Sequence, residues 1–315
     1  MLINAIKSVI VSFILVLLAT STCFAQENRQ ADVIYGRKYG LALTMDVFKP
    51  TAKSNRAAIV MIVSGGWFSS PEAINPKSTN PFTSRGYHVF AVVHGSQPKF
   101  TIPEAIEDLH RATKFIRSKA EEYDIDPEKI GISGGSAGGH LSLMMGVSGK
   151  NGGELNSKDQ LQGFASGANA VACFFPPTDF LNWGEEGKEQ LGRGPQAIPN
   201  IVAPIDFVVF NQQKKQFEPV EDIVERRKIG AAISPITHIS KQSAPSLIIH
   251  GDQDKLVSIQ QAESFVKKMK EAGAIAELDT RKGAGHGWAN MDKDLEKFAD
   301  WFDLHLLNKT IERLH

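Results

Sequence analysis

An α/β fold, with a mostly parallel central sheet covered by helices on both faces, is what this 315-residue sequence predicts. Continuous apolar runs alternate along it with amphipathic stretches of helical period, as strands buried on both faces and their crossover helices are written. Near the middle, the run Lys129 to Ser133 leads straight into Gly134-Gly135-Ser136-Ala137-Gly138-Gly139-His140. A buried strand there turns sharply into a helix around a serine.

The elements follow in order. Residues 1–25 differ from the rest: Lys7 supplies a positive start, Val9 to Ala19 is almost wholly apolar, and Cys23-Phe24-Ala25 offers small residues for cleavage. This reads as a secretory signal peptide and places the mature chain, residues 26–315, outside the cell or in the periplasm. A lipoprotein anchored at Cys23 fits less well, because Thr20-Ser21-Thr22 lacks the leucine a lipobox wants. Removal of the leader leaves Cys173 as the one cysteine, which cannot form an internal disulfide. No membrane span is expected after cleavage.

Strands are expected at Leu41 to Phe48, Ala57 to Val63, Tyr87 to Val93, Lys129 to Ser133, Ala168 to Phe175, Ser246 to His250 and Ile275 to Arg281. Between them Ile102, Ile106, Leu109, Thr113 and Ile116 keep helical spacing, as do Ile259, Ala262, Phe265, Val266 and Met269; Leu295, Phe298, Phe302 and Leu306 mark a closing helix. Residues 176–245 break the rhythm with many glycines and prolines. A connection that long is usually functional, so it is expected to form a cap or lid over the site.

Composition narrows the partners. Lysine plus arginine equals aspartate plus glutamate at 35 each, and no basic stripe is interleaved with aromatics, so nucleic acid is not an expected partner. No metal is expected, since neither an H-E-x-x-H pattern nor paired C-x-x-C spacing occurs. The glycines around Ser136 superficially suggest a dinucleotide site, but they surround a serine and lack the acidic strand end about twenty residues later, so no cofactor is expected.

The chemistry concentrates at three places. In Gly134-x-Ser136-x-Gly138 the serine must sit on a turn so tight that neighbouring Cβ atoms would clash, which lifts its hydroxyl above the sheet. Ser136 is the candidate nucleophile. A serine hydroxyl needs a base and a group to orient that base. After Ser246 to His250 comes the acidic turn Gly251-Asp252-Gln253-Asp254, and after the last strand His286 stands between Gly285 and Gly287. His94, His140 and His250 are rivals for the base, each also readable as an imidazole satisfied locally; only His286 combines a strand-end position with flanking glycines.

These motifs resemble those of α/β-hydrolase-fold carboxylesterases of the secreted esterase/lipase type, a resemblance covering nearly the whole mature chain. It implies the order Ser136, Asp254, His286 for nucleophile, acid and base, with Asp254 favoured over Asp252 by the G-x-x-D-x-x-V pattern ending at Val257. It implies an oxyanion hole from the main-chain N–H groups of Ala137, Gly66 and Trp67. Related esterases read His-Gly-Gly-Gly-Trp at that loop; Val63 and Ser64 replace the first two residues here. Asp108, in a segment similar to the family's stretch before the nucleophile strand, is expected to be structural. Trp67, Phe68 and Trp183 are candidates for stacking a sugar or aryl group, although packing would also explain them.

The reading is a serine hydrolase cleaving carboxylic esters, small or polysaccharide-linked, similar to acetyl-xylan and feruloyl esterases. A prolyl-oligopeptidase-like peptidase, an aryl-formamidase-like amide hydrolase and a non-catalytic binding module on the same fold are its rivals.

Overall fold

The structure is a computed structural model that describes residues 28–96, 99–149, 151–152, 159–192 and 205–311. The signal peptide expected over residues 1–25, Cys23 included, lies outside these.

Eight strands form one sheet: β1 (Arg29–Lys38), β2 (Leu41–Phe48), β3 (Ala58–Val63), β4 (His88–Val93), β5 (Ile130–Gly135), β6 (Ala170–Phe174), β9 (Ser246–Gly251) and β10 (Ala276–Arg281). Their spatial order is β1-β2-β4-β3-β5-β6-β9-β10. The pairs β1/β2 and β2/β4 are antiparallel, and all others in this sheet are parallel. A separate hairpin joins β7 (Val208–Asn211) to β8 (Gln216–Pro219). The helices are α1 (Asn80–Thr83), α2 (Ile102–Ser118), α3 (Ala137–Val147), α4 (Ile223–Ala232), α5 (Gln260–Glu271) and α6 (Leu295–Leu307).

Strand alternation decides what each helix covers. In β3, Ala58, Val60 and Ile62 face the cluster that takes Ile102, Leu109 and Ile116 of α2 with Leu141 and Met144 of α3. Ile59 faces the opposite side, where Phe298 and Phe302 of α6 and Phe82 of α1 pack. Phe265 and Met269 of α5 close the first side further along, against Val171, Cys173 and Ile248. Helix α3 is buried over nearly all its length, as its lack of a polar face requires. Helix α2 starts where Glu104 accepts the Thr101 N–H at 2.9 Å, with Pro103 in its first turn.

All seven expected strands are present, within two residues at each end. The sequence pattern gives no sign of β1, for a physical reason. It is an edge strand exposed over most of its length, with Tyr35 its one buried hydrophobic side chain, and register shifts after Gln30 and Ile34 break its alternation.

Parts of the segment expected as a cap pack into the main core, while its hairpin β7–β8 has no buried residue. Phe180, Trp183, Leu191, Ile205, Phe207 and Ile233 join the cluster that contains Trp67 and Ile62. Buried Arg226 donates to the carbonyls of Leu191, Ile205 and Val220. Phe210 and Phe217 of the hairpin lean on Tyr39 of the β1–β2 turn, with ring centroids 5.1 and 5.4 Å away.

Candidate active site

At the end of β5 the chain turns into α3 through Ser136, whose φ of 54° and ψ of −118° are rare for a residue with a side chain. Such a conformation costs about 1–3 kcal/mol and persists only where its surroundings enforce it. Here the Ser136 N–H donates to Phe174 O at 3.0 Å, and the His140 N–H donates to Ser136 O at 2.9 Å to begin the helix. A Cβ on Gly134 would lie 2.6 Å from the Gly138 carbonyl group, so the strand and helix approach this closely only through glycine.

The structure brings Ser136, His286 and Asp254 together. His286 Nε2 lies 2.9 Å from Ser136 Oγ, and His286 Nδ1 lies 2.7 Å from Asp254 Oδ2. A carboxylate can only accept, so Nδ1 carries the proton and Nε2 is left to accept from the serine hydroxyl. The ring is held by Phe175, 4.3 Å away between centroids, and its loop is pinned by the Trp288 indole donating to Asp294 at 2.7 Å.

Asp254 is saturated with donors. Oδ1 accepts the N–H groups of Leu256 and Val257 at 2.9 and 3.0 Å, while Oδ2 faces both His286 and His250 Nε2, the latter at 3.3 Å. Burial pushes its pKa up, but bonds from His250, His286 and the Val257 N–H, with the charge of His286, outweigh that and hold the carboxyl well below its ordinary range. Asp252 serves a different purpose, accepting the Gly283 N–H at 2.7 Å and so tying the acid turn to the histidine loop.

The glycine-tryptophan loop follows β3. Its two main-chain bonds join Gly65 and Phe68, at 3.0 and 2.9 Å, leaving the N–H groups of Gly66 and Trp67 outside the pairing. Both residues have left-handed backbones, with φ of 55° and 59°. Ala137 is the first residue of α3, so its N–H is one of the helix's unpaired donors. Ser64 bonds His94 Nε2 at 2.9 Å; the other ring nitrogen faces Gly95 O at 2.8 Å. Burial lowers the His94 pKa to about 4, against the pull of the Gly95 carbonyl. Asp108 accepts from Gly95 N–H at 2.8 Å and Lys38 Nζ at 2.6 Å, a structural role.

A cavity of about 730 Å³ opens over Ser136 and His286. Its lining includes Gly66, Trp67, Phe175, Pro177, Trp183 and Leu256, with the polar Asn75, Ser78 and Thr79. Trp183 is thus a wall residue, its indole N–H given to Leu256 O at 3.2 Å. Phe68 is not among the lining residues and is 56% exposed. Sequence reasoning missed the parts played by Phe175, His140 and His250, because each touches residues that local pattern does not connect to it; a histidine closing a buried strand, as in Ile249-His250-Gly251, was the available signal.

The strand order and the serine turn define an α/β hydrolase. The chain belongs to the BD-FAE family, which matches residues 45–269 and so includes Ser136 and Asp254. It is similar to carboxylic ester hydrolases. Probable carboxylic ester hydrolase LipM of Mycobacterium tuberculosis is 28% identical over 76% of this chain and 51% of its own, and Esterase LipQ of the same organism is 26% identical over 78% and 53%. The chain therefore spans about half the length of these curated relatives. Among solved structures, a truncated carbohydrate esterase from gut microbiota superposes with a TM-score of 0.67 at 26% identity, covering 87% of this chain and 95% of the other. A thermophilic esterase of Thermogutta terrifontis, at 24% identity and a TM-score of 0.65 over 90% and 97%, shares the fold.

Proposed function

We propose that this protein is a serine hydrolase that cleaves carboxylic esters through an acyl-enzyme. The observation that carries the reading is the unbroken relay from Ser136 Oγ through the His286 ring to Asp254, at 2.9 and 2.7 Å. Ser136 Oγ attacks the ester carbonyl as its proton passes to His286 Nε2. Asp254 holds the ring in the tautomer that can receive it and stabilises the imidazolium. The oxygen that gains charge is met by the N–H groups of Gly66, Trp67 and Ala137. His286 then protonates the leaving alcohol, and water, deprotonated by the same ring, releases the acid and restores Ser136.

The substrate is a carbohydrate-linked or short-chain ester. Supporting this are the similarity to the gut carbohydrate esterase and a largely apolar cavity whose lining includes the polar Asn75, Ser78 and Thr79. Trp67 and Trp183 are walls of that cavity, and Phe68 meets substrate only beyond its lining. The leader at residues 1–25 exports the enzyme, and the segment 176–245 contributes Pro177 and Trp183 to the wall of the site.

Hydrolysis of p-nitrophenyl acetate tests the reading. The wild type should be active and Ser136→Ala should lose at least about 10⁴-fold in kcat with its fold intact. An inactive wild type, or an equally active variant, would overturn it; a screen of acetylated xylan, feruloylated sugars and prolyl amides would separate the ester class from an amide.

A further inference from the structure

His140 lies one helical turn beyond Ser136 and is fully buried. Its Nε2 is 2.7 Å from the Ile233 carbonyl, at the end of α4, and its Nδ1 is 3.1 Å from the Trp67 indole nitrogen. A carbonyl only accepts and an indole N–H only donates, so one tautomer satisfies both contacts: Nε2 carries the proton and Nδ1 receives. Burial lowers the His140 pKa to about 4, with the Ile233 carbonyl pulling the other way, so the ring keeps that form across the neutral range. Phe180 of the inserted segment packs edge-on to His140, 5.2 Å between centroids, and 5.7 Å from the Trp67 ring.

This contact is aimed at a backbone that needs holding. Trp67 adopts a left-handed conformation that a bulky residue rarely takes, and with Gly66 it lines the cavity over Ser136. The Trp67 side chain, 3% exposed, is the anchor, and His140 is its one hydrogen-bond partner among the described residues.

We propose that His140 is a positioning residue for the oxyanion loop: it ties the Trp67 indole to the helix that begins at Ser136, and thereby fixes where the Gly66 and Trp67 amides point relative to the nucleophile. The role rests on the ester-hydrolase reading above. It joins three elements distant in the chain, since the same side chain links the loop after β3, helix α3 and the end of α4.

The test is steady-state hydrolysis of p-nitrophenyl acetate by the full chain carrying His140→Leu, Trp67→Phe or both, with inhibition by phenylboronic acid, whose tetrahedral adduct on Ser136 places an oxygen in the oxyanion hole. Each single variant should lower kcat by roughly 10- to 100-fold with KM within about threefold, and weaken boronate inhibition by a similar factor. The double variant should fall no further, because both substitutions delete one contact. A wild-type kcat in both single variants, additive losses, or a loss confined to KM would overturn the role. Should His140→Leu fail to fold, Trp67→Phe, which keeps an aromatic plug, decides alone: an unchanged kcat overturns it. An inactive wild type would overturn the functional reading and this role with it, whereas an active wild type with undiminished variants overturns the role only.

Discussion

Asp252 and Asp254, separated by a single residue, differ completely in surroundings. Asp254 receives donors on both oxygens from the interior, while Asp252 holds a surface turn. Asp254→Asn keeps the shape but gives His286 Nδ1 a donor to face, which favours the wrong tautomer; kcat should drop by about 10⁴-fold, whereas Asp252→Asn should cost less than about tenfold. Parallel measurements of both variants on one ester check this. The depressed Asp254 pKa also has a sign in stability. A carboxyl whose pKa is lower in the folded than in the unfolded state, where it is about 3.9, contributes stability at pH above that value and loses it as acid protonates the folded form. Urea midpoints should therefore fall below about pH 4 more steeply in the wild type than in Asp254→Asn. At this scale Ser136, Asp254 and His286, which the fold brings together, were legible as candidates, because nearby glycines advertise a backbone that ordinary residues avoid. The supporting imidazoles were legible only as residues: nothing near His140 in sequence indicates Trp67, 73 positions away.

Among the elements, the strands of the parallel core were readable because helices cover both faces and leave continuous apolar runs, and β1 was not, because it buries one hydrophobic side chain and register shifts break its alternation. The end of β9 shows how an element aims the chemistry. A Cβ on Gly251 would stand 2.3 Å from Ala284 O and 2.5 Å from Gly285 O, so the acid strand touches the histidine loop through a missing side chain. Gly251→Ala should displace His286 and lower kcat by about 10²-fold at temperatures where the variant is still fully folded; kinetics and thermal unfolding measured together check it. The inserted segment was legible as an irregularity, but the packing of Phe180, Leu191 and Phe207 into the core was not, since its apolar residues are scattered and meet only in the fold. Phe180→Ala should cost about 3–5 kcal/mol of stability in urea unfolding, because it empties the space between Trp67, His140 and Trp183.

For the whole molecule, charge and size set the terms on which substrate arrives. Equal numbers of acidic and basic side chains give no net field to steer a charged ligand, so kcat/KM for a neutral ester should be insensitive to salt between about 0.05 and 0.5 M. A strong salt dependence would indicate a charged substrate face. The order of strands was legible only in part: alternation of runs indicates a parallel sheet, yet the exchange of β3 and β4 in space leaves no mark on local periodicity.

The most direct measurement is mass spectrometry of the protein after reaction with a fluorophosphonate, which traps a serine only where a base has activated it. One adduct per chain on the peptide containing Ser136, lost in Ser136→Ala and strongly slowed in His286→Ala, is the expected result. Labelling of a different serine, or undiminished labelling of Ser136 without His286, would contradict the account.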